Sequence, residues 1–246
     1  MAAPRMEGPG MLFVTSKISR KDVLSEETFM NWYDDDHIAE IVTTGGIKDA
    51  YRYVETSGSV VKPYLAFYPM ADVAFTQGER FRQIRVKSSL LPEPGIIYDL
   101  ADIDVRYLGL TKTIGSRKGD AELLVTVGIE PGRGENEQEV TSWLGSDHQA
   151  AVAKIPGYSR TTIYKLLHAR TNAQSRALKG LPTTDEPAPE PPTCQAIHEF
   201  DSEVAGDYLD TIRNVGSTAD VLSGAKQVEV TCWKLAKAHG EKRFFD

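Results

Sequence analysis

Apolar and polar residues alternate in several short stretches of the chain, and in others apolar residues return every three to four positions. Leu12, Val14 and Ile18 share one face of an extended segment whose other face carries Phe13, Thr15 and Lys17. Leu123, Val125 and Ile129 repeat the first set, with Leu124 and Thr126 opposite. Such period-2 alternation predicts strands whose two faces meet different surroundings. Phe29, Tyr33, His37 and Ile41 are spaced by four, which puts them on one stripe of a helix. This helix is expected to begin at Ser25, an N-cap residue followed by Glu26 and Glu27, and to stop at Gly45-Gly46. Phe81 with Ile84, and Tyr208, Leu209 with Ile212, predict a later helix in each half, although Gly78 and Gly216 weaken both.

The two halves repeat one another. A shift of 111 positions lays Leu12, Val14, Thr15 and Ile18 on Leu123, Val125, Thr126 and Ile129. The same shift lays Trp32, Asp36, His37, Gly46 and Tyr53 on Trp143, Asp147, His148, Gly157 and Tyr164. Further on, Ala66 meets Ala196, so an insertion must intervene. It is the stretch Thr171 to Thr193, with prolines 182, 187, 189, 191 and 192 among Glu, Asp and Thr; so polar a segment is expected to be a mobile loop or a lid. Ile103, Asp104, Val105 and Leu110 then meet Val228, Glu229, Val230 and Leu235. Each half reads strand, helix, strand, strand, helix, strand, the ferredoxin-like plan. The expected fold is α+β, with units at 11–114 and 120–238. The sheet face opposite Leu12 and Val14 is mixed, carrying Asp104, Arg106 and Leu108 in one unit and Glu229, Thr231 and Trp233 in the other. Turned toward each other, two such antiparallel sheets make an intramolecular barrel of eight strands.

Composition removes several classes of function. The 246 residues carry a formal charge of -7 and a pI near 5.3, the wrong sign for a phosphate-binding surface, so nucleic acid is not expected as a partner. No run approaches the roughly 18 to 20 apolar residues that span a bilayer, and Met1 to Gly10 lacks the apolar core of a signal peptide. No membrane contact and a cytoplasmic location are therefore expected. Cys194 and Cys232 are too few for a disulfide scaffold, and the five histidines are scattered, so no metal is expected. There is no GxGxxG, GxxxxGK[ST], HExxH or GxSxG. Lys17, Arg52 and Arg106 are more readily explained as ion-paired strand residues than as an anion site.

The richest local chemistry is Trp32-Tyr33-Asp34-Asp35-Asp36-His37. A histidine on the sheet-facing stripe, beside carboxylates, can move a proton near neutral pH, and it can equally be a structural core residue. Duplication leaves that choice open, because it copies both kinds faithfully. The second unit keeps Asp147 and His148 but has Leu144, Gly145 and Ser146 in place of Tyr33, Asp34 and Asp35, so one working pocket is expected rather than two. Tyrosines cluster on the middle strands, where a row of phenols can bind a flat ligand and donate to a developing oxyanion or simply pack across strands. His37, Asp36 and Tyr53 are the expected catalytic set. Trp32, Tyr33, Tyr51, Tyr64, Tyr68, His148, Tyr164 and His198 are expected to bind substrate.

The paired units, the Trp-Tyr-x-x-x-His helix and the Ile155-Pro156-Gly157-Tyr158 turn resemble the dimeric α/β-barrel superfamily, in particular its EthD-like branch, from Met11 to about Leu235. Members usually pair two chains, whereas here both halves lie in one. The resemblance implies a pocket without metal or organic cofactor, a fungal natural-product setting, and the helix histidine as acid or base. It points to a cofactor-independent cyclase or lyase acting on a hydrophobic polyketide-like or terpenoid intermediate by cyclisation, elimination or decarboxylation, with a pericyclic Diels-Alder cyclisation as a variant. The alternatives are an oxygenase of the same fold, cofactor-free or haem-dependent, and a non-catalytic binding protein. Association of the fused pair into a homodimer is left open.

Overall fold

The computed structural model describes residues 5–116, 119–132, 136–202, 204, 210–212 and 224–241. Eight antiparallel strands close into a barrel in the order β1-β3-β2-β8-β5-β7-β6-β4. They are β1 (Gly10–Ile18), β2 (Asp49–Glu55), β3 (Tyr64–Met70), β4 (Ala101–Gly115), β5 (Leu123–Glu130), β6 (Tyr158–Arg170), β7 (Cys194–Phe200) and β8 (Gln227–Gly240). Strands β1 to β4 form one run of neighbours and β5 to β8 the other, with β2 on β8 and β4 on β6 as the two seams. Closure leaves no free sheet edge.

Two helical layers cover the outside. In the first half α1 (Glu26–Trp32), a π-helical turn (Tyr33–His37) and α2 (Ile38–Thr43) lie over the sheet, followed by a 3-10 turn (Val73–Gln77), α3 (Glu79–Gln83) and α4 (Ile97–Leu100). In the second half α5 (Glu137–Trp143), a π-helical turn (Leu144–His148) and α6 (Gln149–Val152) repeat the first layer, and α7 (Asn172–Leu178) follows β6. The later helix of the first half is shorter than Phe81 and Ile84 predict: Gly78 is extended and separates two short turns. Tyr208 and Leu209 lie outside the described residues.

The pleat divides the core as the alternation requires. Leu12, Val14 and Ile18 pack beneath the helices of the first half, and Leu123, Val125 and Ile129 beneath those of the second. Met11, Phe13, Leu108, Leu124 and Trp233 point into the barrel. Each large apolar side chain fully buried in these layers stabilises the fold by about 1.5–3 kcal/mol.

The charged residues of the mixed face are paired off. Arg106 meets Glu229 at 3.0 Å, Lys62 meets Asp104 at 2.7 Å, and Lys17 meets Asp102 at 3.4 Å. Arg52 bonds Asp34 with both Nε and Nη2, at 2.6 and 2.8 Å. Among the described residues no helix is long and apolar enough to cross a membrane.

Segment 171–193, expected from its composition to be a loop throughout, is partly helical. Its first third is helix α7, whose Thr171 and Gln174 form a capping box. Helix α7 is held by the first half of the chain, and the remainder is tied to α7 itself. Asn172 Nδ2 donates to the Tyr98 carbonyl at 2.9 Å, Arg176 pairs with Asp99, and Thr183 Oγ1 donates to the Ala173 carbonyl at 2.7 Å. Ordering comes from these long-range partners, which local composition does not reveal.

Candidate active site

The Trp-x-x-x-x-His spacing acquires its meaning from the π turn. On a regular α-helix, residues five apart stand about 140° apart around the axis. A π turn closes i to i+5 and aligns them. Accordingly the Trp32 and His37 rings stack with centroids 4.7 Å apart and planes 16° apart, and Trp143 and His148 stand 4.9 Å apart in the second half. The segment is anchored at both ends. Ser25 Oγ accepts from the Thr28 N–H at 3.1 Å, a cap worth about 1 kcal/mol. At the other end Gly45 takes a φ of 78°, the left-handed cap position. Gly46 lies so close to the Phe75 ring that a Cβ would stand 2.1 Å from it. Gly46→Ala is therefore expected to cost about 1–3 kcal/mol in urea unfolding through overpacking.

Beneath this helix, against β1 and β4, lies a cavity of about 70 Å³. Its walls are apolar, with Leu12, Val14, Ile41 and Phe81 among them. Its polar groups are His37, Tyr33, Tyr68, Tyr98, Arg170 and Lys179, and among the described residues no carboxylate lines it. Arg170 ends β6, opposite Val105 of β4, and Lys179 follows α7. The second half of the chain thus completes the pocket of the first.

His37 keeps part of its surface accessible, but its Nδ1 is buried without a hydrogen-bond partner. Burial, followed by the Lys179 charge, pushes its pKa down to about 4; the Asp36 charge and a hydrogen bond to the Arg85 backbone act the other way and lose. The imidazole is neutral at pH 7. With Nδ1 unpartnered, the Arg85 contact falls to Nε2; a donating Nε2–H leaves Nδ1 as the basic lone pair. The tyrosines are held as donors. Burial raises Tyr33 to about 12, raises Tyr68 well above the ordinary phenol value, and raises Tyr98.

The structure brings together four of the residues singled out in the sequence: Trp32, Tyr33, His37 and Tyr68 all line the cavity. Asp36 turns outward to Arg85, at 2.9 Å, and influences His37 only through its charge. Tyr51 pairs with Phe67 and Tyr53 with Leu65, which sets both tyrosines on the barrel side of the sheet. There Tyr53 donates to the Ala121 carbonyl at 2.8 Å, so the sheet separates it from His37. Tyr164 shares that interior, while Tyr64 packs on Phe29 at 5.4 Å beside the helix without lining the cavity. The row of phenols is divided because β2 and β3 both turn their odd-numbered residues into the barrel, which takes Tyr51 and Tyr53 inward and leaves Tyr64 and Tyr68 on the helix side. Tyr98, Arg170 and Lys179 escape a reading of motifs: they come from a short helix, a strand end and the inserted segment.

His148 and His198, the counterparts of His37 and Tyr68, meet in the second half with rings 5.1 Å apart. Burial pushes His148 down to about 4, against a hydrogen bond to the Ile212 backbone, and pushes His198 well below its usual value with help from His148. His198 Nδ1 shares a hydrogen bond of 2.8 Å with Thr161 Oγ1. Both rings are neutral and enclosed. A larger cavity, about 540 Å³, opens at the barrel mouth between Phe13, Lys62, Arg106, Glu229 and Trp233. Its cations already have carboxylate partners, which makes it the less reactive of the two spaces. Among the described residues no group of three or more His, Cys, Asp or Glu is placed to hold a metal ion.

The fold is shared with solved structures. An anthrone oxidase-like protein matches with a TM-score of 0.57 at 14% identity, over 96% of this chain and 95% of that one. Chlorite dismutase from Candidatus Nitrospira defluvii, in complex with imidazole, matches with a TM-score of 0.56 at 10% identity, over 94% and 92%. No family model matches the chain. In sequence, the chain is 26% identical over 202 residues to Core atranone cluster (CAC) protein 1 of Stachybotrys chlorohalonatus (strain IBT 40285), covering 78% of this chain and 82% of that protein.

Proposed function

We propose that the protein is a cofactor-independent cyclase or lyase that acts on a hydrophobic polyketide-like or terpenoid intermediate, with His37 moving the proton. The observation that carries this reading is the neutral imidazole with an unpartnered Nδ1 in an apolar cavity. Such a base removes a proton from a carbon next to a carbonyl, and the enolate so formed can cyclise or eliminate; in decarboxylation the enolate left by departure of carbon dioxide takes up a proton at that carbon instead. Tyr33, Tyr68 and Tyr98 remain protonated and can donate to the oxygen on which charge collects. The similarity to a protein named for a fungal cluster supports a place in natural-product biosynthesis. The Trp32 to His37 helix and the Ile155-Pro156-Gly157-Tyr158 turn support placement in the EthD-like branch.

At about 70 Å³ the cavity is far below the roughly 300–1,000 Å³ of ordinary ligand pockets. Substrate entry therefore requires the cover to move. Lys179, whose Nζ donates to the Arg82 and Ile84 carbonyls at 2.6 Å each, fastens segment 171–193 over the site. We assign that segment the role of a lid.

Proton exchange gives the direct test. A panel of enolisable aromatic ketones, anthrone among them, is incubated in D₂O with wild type or His37→Ala, and exchange at the acidic carbon is followed by NMR. Wild type should accelerate exchange and the variant should not; equal rates sink the proposal, and oxygen uptake with the same compounds would mark an oxygenase instead. The pH profile is a second check. Because the imidazole stays neutral down to about pH 4, the acid limb of kcat/KM should fall near 4 rather than near the 6.5 of a free histidine.

A further inference from the structure

Arg170 is the most unusual charge in the molecule. It is only 9% exposed, and its Nε is buried without a partner. No hydrogen bond or ion pair reaches its guanidinium among the described residues; it lies over the Tyr107 ring, with Cζ 5.4 Å from the centroid. Other internal arginines are treated differently: Arg52 has Asp34, Arg160 has Glu199 at 2.9 Å, and Arg106 has Glu229. Lys179 lines the same cavity. Two of its three N–H donors are taken by the Arg82 and Ile84 carbonyls, so the third is uncommitted.

Two like charges facing one apolar space repel, and a buried charge without a counter-ion is costly. Evolution of such a pair makes physical sense if an anion fills the space between them. Resting on the reading of this pocket as the substrate site, we propose that Arg170 and Lys179 form a receptor for an anionic group of the substrate, a carboxylate or a phenolate or enolate oxygen attached to a hydrophobic ring system. Arg170 offers the planar pair of donors that suits a carboxylate, and Lys179 adds a point charge from the lid. Binding of the anion would draw Lys179 inward and close segment 171–193 over the ligand. The protonation state supports this: burial and the Arg170 charge push the Lys179 pKa down to about 8, a shift that an incoming anion reverses.

The receptor is separable from the base. Calorimetric titration at pH 7 compares 2-naphthoate with the neutral 2-naphthamide of nearly the same shape. Wild type should bind the naphthoate about 10- to 100-fold more tightly, the range expected of charge-assisted hydrogen bonds. Arg170→Gln should bring the two probes to near parity, and Lys179→Met should give part of that loss. His37→Ala should keep the preference for naphthoate, so failure of the proton-transfer reading leaves this result intact and failure of the receptor leaves His37 untouched.

Thermal melting of ligand-free protein supplies a control that a structural role would move the other way. Removing an uncompensated buried charge should leave Arg170→Gln as stable as wild type or more so. Equal affinity of wild type for the two probes, no naphthoate binding up to about 1 mM, or a preference that survives Arg170→Gln overturns the proposal. A strongly destabilised Arg170→Gln that keeps the preference identifies Arg170 as structural and overturns it too.

Discussion

His37→Ala is expected to reduce kcat/KM by about 10²- to 10⁴-fold, the usual contribution of a positioned general base, while leaving the protein folded. The loss should appear in kcat more than in KM, because His37 acts on the transferring proton rather than on the bulk of the ligand. Trp32 is the companion that decides whether the ring is positioned or merely present. It stacks on His37 at 4.7 Å across the π turn, so Trp32→Phe should retain part of the activity and Trp32→Ala little of it. If the substrate is instead cyclised by shape alone, His37→Ala keeps near full activity and the aromatic substitutions carry the loss. Steady-state kinetics on the three variants, with near-ultraviolet circular dichroism as a check on packing, separates the two outcomes.

Asp34→Ala is expected to cost about 3–5 kcal/mol of stability, as is usual when one partner of a buried ion pair is removed. Asp34 sits on the π turn and gathers two cations, Arg52 at 2.6 Å and Lys237 at 3.1 Å, and the His239 Nε2 at 3.0 Å, a ring that burial keeps from charging. It ties the helix that carries His37 to β2 and β8. Lys237 is half exposed and can return to water, but the Arg52 side chain is only 9% exposed and would be left with the Met30 sulfur, so it sets the magnitude. For a chain of this size the melting temperature should fall by about 2–4 °C per kcal/mol.

The same carboxylate gives a pH dependence whose sign follows from its shift. Burial would raise the Asp34 pKa, but the hydrogen bonds and charges of Arg52 and Lys237 outweigh it and hold the carboxyl below its usual value. Its stabilising contribution is therefore fully present above the unfolded value of about 3.9 and disappears as the pH falls through the lower folded value. Acid titration of wild type beside Asp34→Asn should show this loss in wild type alone.

Much of the site could be read from the chain, and what was missed was missed for definite reasons. The stripe Phe29, Tyr33, His37, Ile41 and the cap at Ser25 placed the histidine on the sheet-facing side, because helical period and capping are local properties. The duplication placed Tyr68 and His198 at matching positions: His198 stands beside His148, and Tyr68 lines one cavity with His37. Tyr53 was grouped with Tyr68 because composition does not record which parity of β2 faces which parity of β3. The Trp-His spacing was visible, but a regular helix would have separated the two rings; only the π turn aligns them. Arg170 and Lys179 carried no motif at all.

The sequence by itself determined the eight strands and the first helix of each half, their duplication, the two faces of each strand and hence an eight-stranded barrel wrapped by helices. Those features follow from periodicities of two and of about 3.6 residues and from caps, all of which act over a few neighbours along the chain. Tertiary structure alone decided that the second half completes the pocket of the first, by carrying β6 alongside β4 and laying segment 171–193 across Tyr98 and Asp99. It also decided which charges found partners and which did not. Pairing and desolvation depend on groups distant in sequence and adjacent in space, and no local pattern encodes that adjacency.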